Sequence, residues 1–259
     1  MACAGRVAAR AAIREILVLV VPRPASTAAA PTACGNGNAL RLFWGRLGSR
    51  RRAFLGQLAA LPSLGRFTLA GGTGLALVAN HRNSVDFDFF YLSPHLHLPP
   101  LSSVKAFLGK KPGFRVRLED PGTLHADADG THLSFLATSY PWMRPPIRDG
   151  RLAIAHPVDI GLMKLSAIIS RGSRKDFIDL ACILDRFVSL RTLLRLAERK
   201  YAGTGDFIAV LQKPLLYFAE AAMEPDPDQL DRRYRWGRVT MLIETEARKI
   251  LPKLLGGRR

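Results

Sequence analysis

Cysteine is nearly absent: the 259 residues hold three, Cys3, Cys34 and Cys182. Their separations match neither a disulfide framework nor a Cys-based metal site, which excludes stapled secreted domains and suits a reducing compartment such as the cytoplasm. No apolar run approaches the roughly 18 residues that cross a bilayer. Acids are scarce as well, 21 against 38 Lys and Arg, for a formal charge of +17. That excess favours a polyanionic partner, nucleic acid first, although Arg-rich composition also accompanies GC-rich genomes whatever the function. Heptads and internal repeats are missing, so neither a coiled coil nor a solenoid is expected.

The positive charge is unevenly spread. Residues 1–52 carry nine arginines and one acid, Glu15. Arg6, Arg10 and Arg14, then ILVLVVP and ASTAAA, imitate a secretory signal, but the apolar core is short and Glu15 abuts it. Residues 1–41 are therefore expected to be a disordered Ala/Arg/Pro extension, or to follow from a start codon placed too far upstream.

From Leu42 the texture is that of an α/β (α+β) chain. RLFWGRLGSRRRAFLGQLAALPSLG has helical periodicity and is closed by Pro62 and Gly65. RFTLA reads as a buried strand entering Gly71-Gly72, residues 74–79 as a short apolar helix, and SVDFDFFYL as a second strand. A Pro-punctuated stretch with one helix leads to FRVRLE, TLHADADG, HLSFLATSY and RLAIAHP, a short-strand meander with Asp-Gly turns at 129–130 and 149–150. After Pro157 the pattern predicts helices over about 159–171, 174–186, 188–201, 206–222 and 229–252. Ser173 and Asp176 resemble a capping box. The expected organisation is an α/β core over 42–157 and a helical region over 158–259.

Three patterns carry chemistry. Gly71-Gly72-Thr73, between a strand and a helix, would let the backbone approach a phosphate that helix N–H groups and dipole favour; a plain tight turn is the simpler reading of a lone Gly-Gly. No Gly-Lys-Ser/Thr follows, so this is not a P-loop. Asp86 and Asp88 stand two apart, so in a strand both carboxylates leave one face. Such a pair repels unless a cation lies between, and hard oxygen ligands suit Mg²⁺ or Mn²⁺ with substrate phosphates completing the shell. An isolated D-x-D is more often a solvated face; the glycine turn upstream shifts the reading toward a nucleotide–metal site. Arg82 and Ser84 are placed to meet phosphate oxygens, and His81 is more simply a structural histidine.

The third pattern is DIGLMKLSAIISRGSRKDFIDL. Lys164 and Arg171 share one helical face, and Asp176 and Asp179 share a face of the next helix. An exposed salt-bridged hairpin would explain them, but Lys164 is surrounded by apolar residues, so a partly buried cation awaiting an anion is the sharper expectation.

Together, FTLAGGTGLALVANHRNSVDFDFF and MKLSAIISRGSRKDFIDL resemble the AbiEii/AbiGii nucleotidyltransferase toxin family, on the DNA polymerase β-like nucleotidyltransferase fold, from about Leu42 to about Leu251. The resemblance implies Gly72 and Thr73 as the phosphate loop and Asp86 and Asp88 as metal ligands. It further implies Lys164 as nucleotide-phosphate contact and Asp179, in preference to Asp176, as a further essential acid. It implies transfer of a nucleoside monophosphate from an NTP, GTP among the candidates, to an RNA such as the tRNA 3′ end, in a toxin with a cognate antitoxin. Gly74 and Asn80 depart from the family's usual alanine and glycine. The alternatives are a catalytically inactive nucleotide- or RNA-binding descendant, or a nucleotidyltransferase that modifies a protein or small molecule.

Overall fold

The computed structural model describes residues 42–256; the expected extension over 1–41 lies outside the described residues. A 3₁₀ turn (Trp44–Leu47) leads into α1 (Gly48–Ala59), whose Phe54, Leu55 and Leu58 form its buried stripe. The helix ends at Ala59, and a second 3₁₀ turn, Pro62–Arg66, follows where Pro62 and Gly65 were expected to close it. β1 (Thr68–Leu69), α2 (Gly71–Ala79) and β2 (Phe87–Leu92) follow. Helix α2 begins three residues before the expected position 74. Gly71, at φ +62°, turns the chain sharply, and Gly74 already donates to the carbonyl of Ala70 at 2.9 Å.

α3 (Ser102–Leu108) precedes β3 (Arg115–Asp120), β4 (Thr123–Ala128), β5 (Thr131–Thr138), β6 (Ile147–Asp149) and β7 (Leu152–Ile154). The strands form one seven-stranded sheet in the order β3-β4-β5-β2-β1-β7-β6. It is not a simple meander: β2 pairs in parallel with β5, and β1 with β7, while the other pairs are antiparallel. The Asp-Gly turn at 129–130 has positive φ at both residues, the geometry that matches strand twist in a tight hairpin.

Strand alternation decides which side of β2 faces the apolar core. Phe87 and Phe89 are wholly buried, and Phe89 stacks on Phe135 of β5 at 5.2 Å between centroids. Asp88 and Phe90 leave the opposite face, which looks toward the helical half.

That half comprises α4 (Pro157–Ser170), α5 (Arg174–Arg186), α6 (Leu190–Lys200), α7 (Phe207–Leu215) and α8 (Trp236–Gly256). Helix α7 is shorter than expected, because Pro214 offers no N–H and crowds the preceding turn. Helix α8 starts at Trp236 instead of 229: Gln229 has φ +48°, and a 3₁₀ turn at Arg232–Tyr234 intervenes. Two apolar clusters result, one between the sheet, α1 and α3, the other among the helices; Leu75 and Ala79 of α2 join the second while Leu77 and Val78 join the first. Helix α2 thus sits between both cores. None of the described helices is long and apolar enough to cross a membrane.

Candidate active site

Between the polar face of β2/β5 and helix α4 lies a cleft of about 840 Å³. Gly71 and Gly72, in the first turn of α2, form one wall. Their lack of side chains is a packing requirement. A Cβ on Gly71 would stand 2.2 Å from Asp88 Oδ2, and one on Gly72 would stand 2.3 Å from Arg82 Nη2 and 2.8 Å from Ser84 Oγ. The helix N-terminus is therefore pressed directly against one acid and one cation of the site. Thr73 is fully buried; its hydroxyl donates to the carbonyl of Asp86 and pins the loop that carries the acids instead of facing the cleft.

The cations on the other wall are held from behind. Asp179, fully buried, accepts from Arg82 Nε at 2.6 Å and Nη2 at 2.8 Å, from His81 Nε2 at 2.7 Å, and pairs with Lys164 Nζ at 2.7 Å. Asp176, also fully buried, accepts from Lys164 at 2.9 Å, from Arg171 Nε and Nη2 at 2.7 and 2.8 Å, and from Ser173 Oγ at 2.8 Å. Ser173 is thus a donor to Asp176 rather than the acceptor a capping box requires.

Burial would raise both acids, but the adjacent charges win. Arg82 and Lys164 hold Asp179 well below the usual carboxylate range, and Lys164 with Arg171 does the same for Asp176. Burial likewise works against the Lys164 ammonium and is outweighed by Asp179 and Asp176, so its pKa is raised. His81 is pushed down by burial, which leaves it neutral, and its Nδ1 has no hydrogen-bond partner. Arg82, Lys164 and Arg171 therefore stay charged, and two internal carboxylates offset only part of that charge.

Asp88, at the cleft, is in the converse position. Burial, with Asp86 close by, lifts the Asp88 carboxyl above its ordinary value, even against Lys164 and a hydrogen bond from Ser134. Two hard-oxygen carboxylates, one resisting ionisation beside the other, make a donor set that a divalent cation fits. Asp86 and Asp88 would hold it. Among the described residues no cluster of three His, Cys, Asp or Glu could hold a metal alone, so substrate oxygens or water would complete such a shell.

The structure brings together at the cleft Gly71, Gly72, Arg82, Ser84, Asp86, Asp88, Lys164 and Arg171; Thr73, Asp176 and Asp179 stand behind its walls. Sequence reasoning missed three contributors. Ser134 lies opposite Asp88 in the β2–β5 register. His125 and His132 stack at 5.6 Å on the neighbouring strands, and His125 Nδ1 lies 3.1 Å from Ser134 Oγ. The segment Glu224–Asp228 closes the far rim, anchored by Arg174 to Asp226 at 2.8 Å and by Asn83 N–H to the Asp228 carbonyl at 3.0 Å. The Pro-Asp-Pro-Asp pattern of that segment was a signal of a fixed acidic loop, though not of its location.

No family model matches the chain. A curated protein of Aquifex aeolicus (strain VF5), "Uncharacterized protein aq_aa25", is 34% identical over 182 residues, spanning 69% of this chain and 86% of that protein. The chain belongs to the aq_aa25 family. Among solved structures, the crystal structure described as "putative nucleotidyltransferase from H. pylori" aligns with a TM-score of 0.50 and 17% identity, over 81% of this chain and 98% of the other. This member of the aq_aa25 family therefore has a nucleotidyltransferase fold. MenT4, "nucleotidyltransferase toxin Rv2826c from Mycobacterium tuberculosis H37Rv", aligns at TM-score 0.42 and 16% identity, over 71% of this chain and 74% of its own.

Proposed function

We propose that this chain is a metal-dependent nucleotidyltransferase that moves a nucleoside monophosphate from an NTP to an acceptor and releases pyrophosphate. The observation that carries the reading is the division of charge across one cleft. Asp86 and Asp88 stand beside the glycine turn of α2, and Arg82, Lys164 and Arg171 face them with ionisation secured by buried Asp176 and Asp179.

Phosphate transfer needs little covalent help from a protein; it needs positioning and stabilisation of charge spread over phosphoryl oxygens. The open N–H groups of the first α2 turn, with Arg82 and Lys164, bind the anionic tail. Gly71 and Gly72 allow the backbone contact that any side chain would block. A Mg²⁺ or Mn²⁺ held by Asp86 and Asp88 would supply Lewis-acid polarisation and lower the pKa of an acceptor hydroxyl. Asp179 is a positioning residue: it fixes Arg82 and Lys164 in one arrangement.

The +17 charge supports an RNA acceptor, and the motif resemblance supports the tRNA 3′ end, GTP or another NTP as donor, and a toxin role with a cognate antitoxin in the cytoplasm. Incubation with each α-³²P-labelled NTP and total RNA tests the reading. A labelled RNA is expected with the parent and none with Asp86→Ala; labelling retained by Asp86→Ala would sink it. Label appearing on protein or a small molecule instead would redirect the acceptor assignment.

A further inference from the structure

Next to the cleft lies a second cavity of about 250 Å³, and the two share Phe90, Met163, Ala167 and Ser170 as wall residues. The direction is fixed by two periodicities. Phe90 follows Asp88 by two residues on the same strand face, about 7 Å further along β2. Met163, Ala167 and Ser170 lie on one face of α4. Four aromatic residues line the cavity: Phe90, Tyr140, Trp142 and Tyr201.

These walls are built, not loose. Asp159, fully buried in the first turn of α4, accepts from the backbone N–H of Met143 and Arg144 at 2.9 and 2.8 Å, and from Lys200 Nζ at 3.0 Å. Lys200 also donates to the Pro141 carbonyl at 2.8 Å and lies 5.1 Å from the Trp142 ring centroid. Tyr140 meets Tyr201 edge-on at 4.9 Å, and Tyr201 stacks on Phe207 and donates its hydroxyl to the Leu162 carbonyl. The segment after β5 is thus tied down by a buried carboxylate and a buried lysine, so Tyr140 and Trp142 are held before anything binds. Neither residue takes part in the phosphate-binding arrangement.

We infer that this cavity is the subsite for the nucleobase of the donor NTP. The inference rests on the nucleotidyltransferase reading above and deepens it. A flat, weakly polar ring matches aromatic walls, since every base has a π-face to stack. The position matches too: a nucleotide whose phosphates lie at Asp88 and the α2 turn carries its own base one ribose away, past Phe90. Ser166 and Ser170 of α4 line the same cavity; the Ser170 hydroxyl donates to the Ala167 carbonyl at 3.2 Å, which leaves its oxygen as an acceptor, while Ser166 can serve as donor or acceptor for base discrimination.

The test is calorimetric titration of ATP, GTP, CTP, UTP and inorganic tripolyphosphate, each with Mg²⁺, into the full chain and into Tyr140→Ala and Trp142→Ala. The parent is expected to bind at least one NTP more tightly than tripolyphosphate. Each variant should weaken that NTP about tenfold, in the range of a lost base–aromatic stack, while tripolyphosphate binding stays as in the parent. Circular dichroism melts confirm that the variants are folded. If the parent binds NTP and both folded variants match it, the base subsite is overturned while the phosphate reading stands. If the parent binds neither NTP nor tripolyphosphate, both fall.

Discussion

Replacing Asp179 by alanine probes the arrangement most directly. The carboxylate is wholly buried and is the shared acceptor of Arg82, Lys164 and His81. Removing it leaves two cations in a desolvated wall with Asp176 as the remaining internal acid, and that carboxylate already serves Lys164, Arg171 and Ser173. Breaking a buried charge pair by deleting one partner costs about 3–5 kcal/mol. For a chain of this size each kcal/mol moves the melting temperature by about 2–4 °C, so Asp179→Ala should melt roughly 6–20 °C below the parent. Asp179→Asn keeps one acceptor oxygen and should fall between the two. The assay is a circular dichroism melt at pH 7, with NTP binding followed in parallel. Both should suffer, because Arg82 and Lys164 lose their fixed geometry. An Asp179→Ala protein that melts within about 2 °C of the parent and binds NTP normally would refute the idea that Asp179 organises these cations.

Three further outcomes follow from the same geometry. Asp88 has its pKa raised by burial, so its ionisation in the fold works against stability at neutral pH; that penalty shrinks as pH falls through the raised value and is gone below the ordinary 3.8. Asp88→Asn should therefore raise the melting temperature at pH 7, give little gain in strong acid, and abolish nucleotide transfer; a lower melting temperature at pH 7 would count against the assignment. Asp176 and Asp179 have depressed values, so their stabilisation is complete above the ordinary 3.8 and is lost only as pH falls below it toward their folded values. Acid titration by circular dichroism should accordingly show an unfolding component below pH 3.8 that Asp179→Asn weakens. Gly71→Ala combines a φ of +62° with a methyl group pushed onto Asp88, and should lower transfer by about 100-fold or more while costing about 1–3 kcal/mol. Radiolabel transfer and a thermal melt of the same preparation check both figures.

Much of the fold was legible because it is written locally. Alternation placed Phe87 and Phe89 in the core and Asp88 on the other face, Asp-Gly pairs marked the hairpins, and apolar periodicity gave the helices of the second half. Errors fell where a single residue overrides a pattern: Pro214 shortens α7, and Gln229 delays α8. Within the site, residue type and spacing singled out the acids, the glycines and Lys164. The manner of their pairing was not legible, since His81 and Asp179 are 98 residues apart and meet only when α5 docks. The parallel β2–β5 pairing that brings Ser134 opposite Asp88 follows a long crossover, and no local signal announces it. Tyr140 and Trp142 escaped notice for a different reason. They lie in an irregular segment whose conformation is set by the distant Asp159 and Lys200.

The sharing of Asp179 between the loop after α2 and helices α4 and α5 also has a temporal consequence. During synthesis the acids and the glycine turn leave the ribosome first, and Asp179 follows Asp88 by 91 positions. At translation rates of about 5–20 residues per second this is a lag of roughly 5–20 s. For that interval the nascent chain carries Asp86 and Asp88 without the braced cations of the opposite wall. On the proposed nucleotidyltransferase reading, competence therefore arrives as a single late event, when the helical half closes on α2. A ribosome-bound chain halted before Asp179 should be catalytically silent even with its sheet folded.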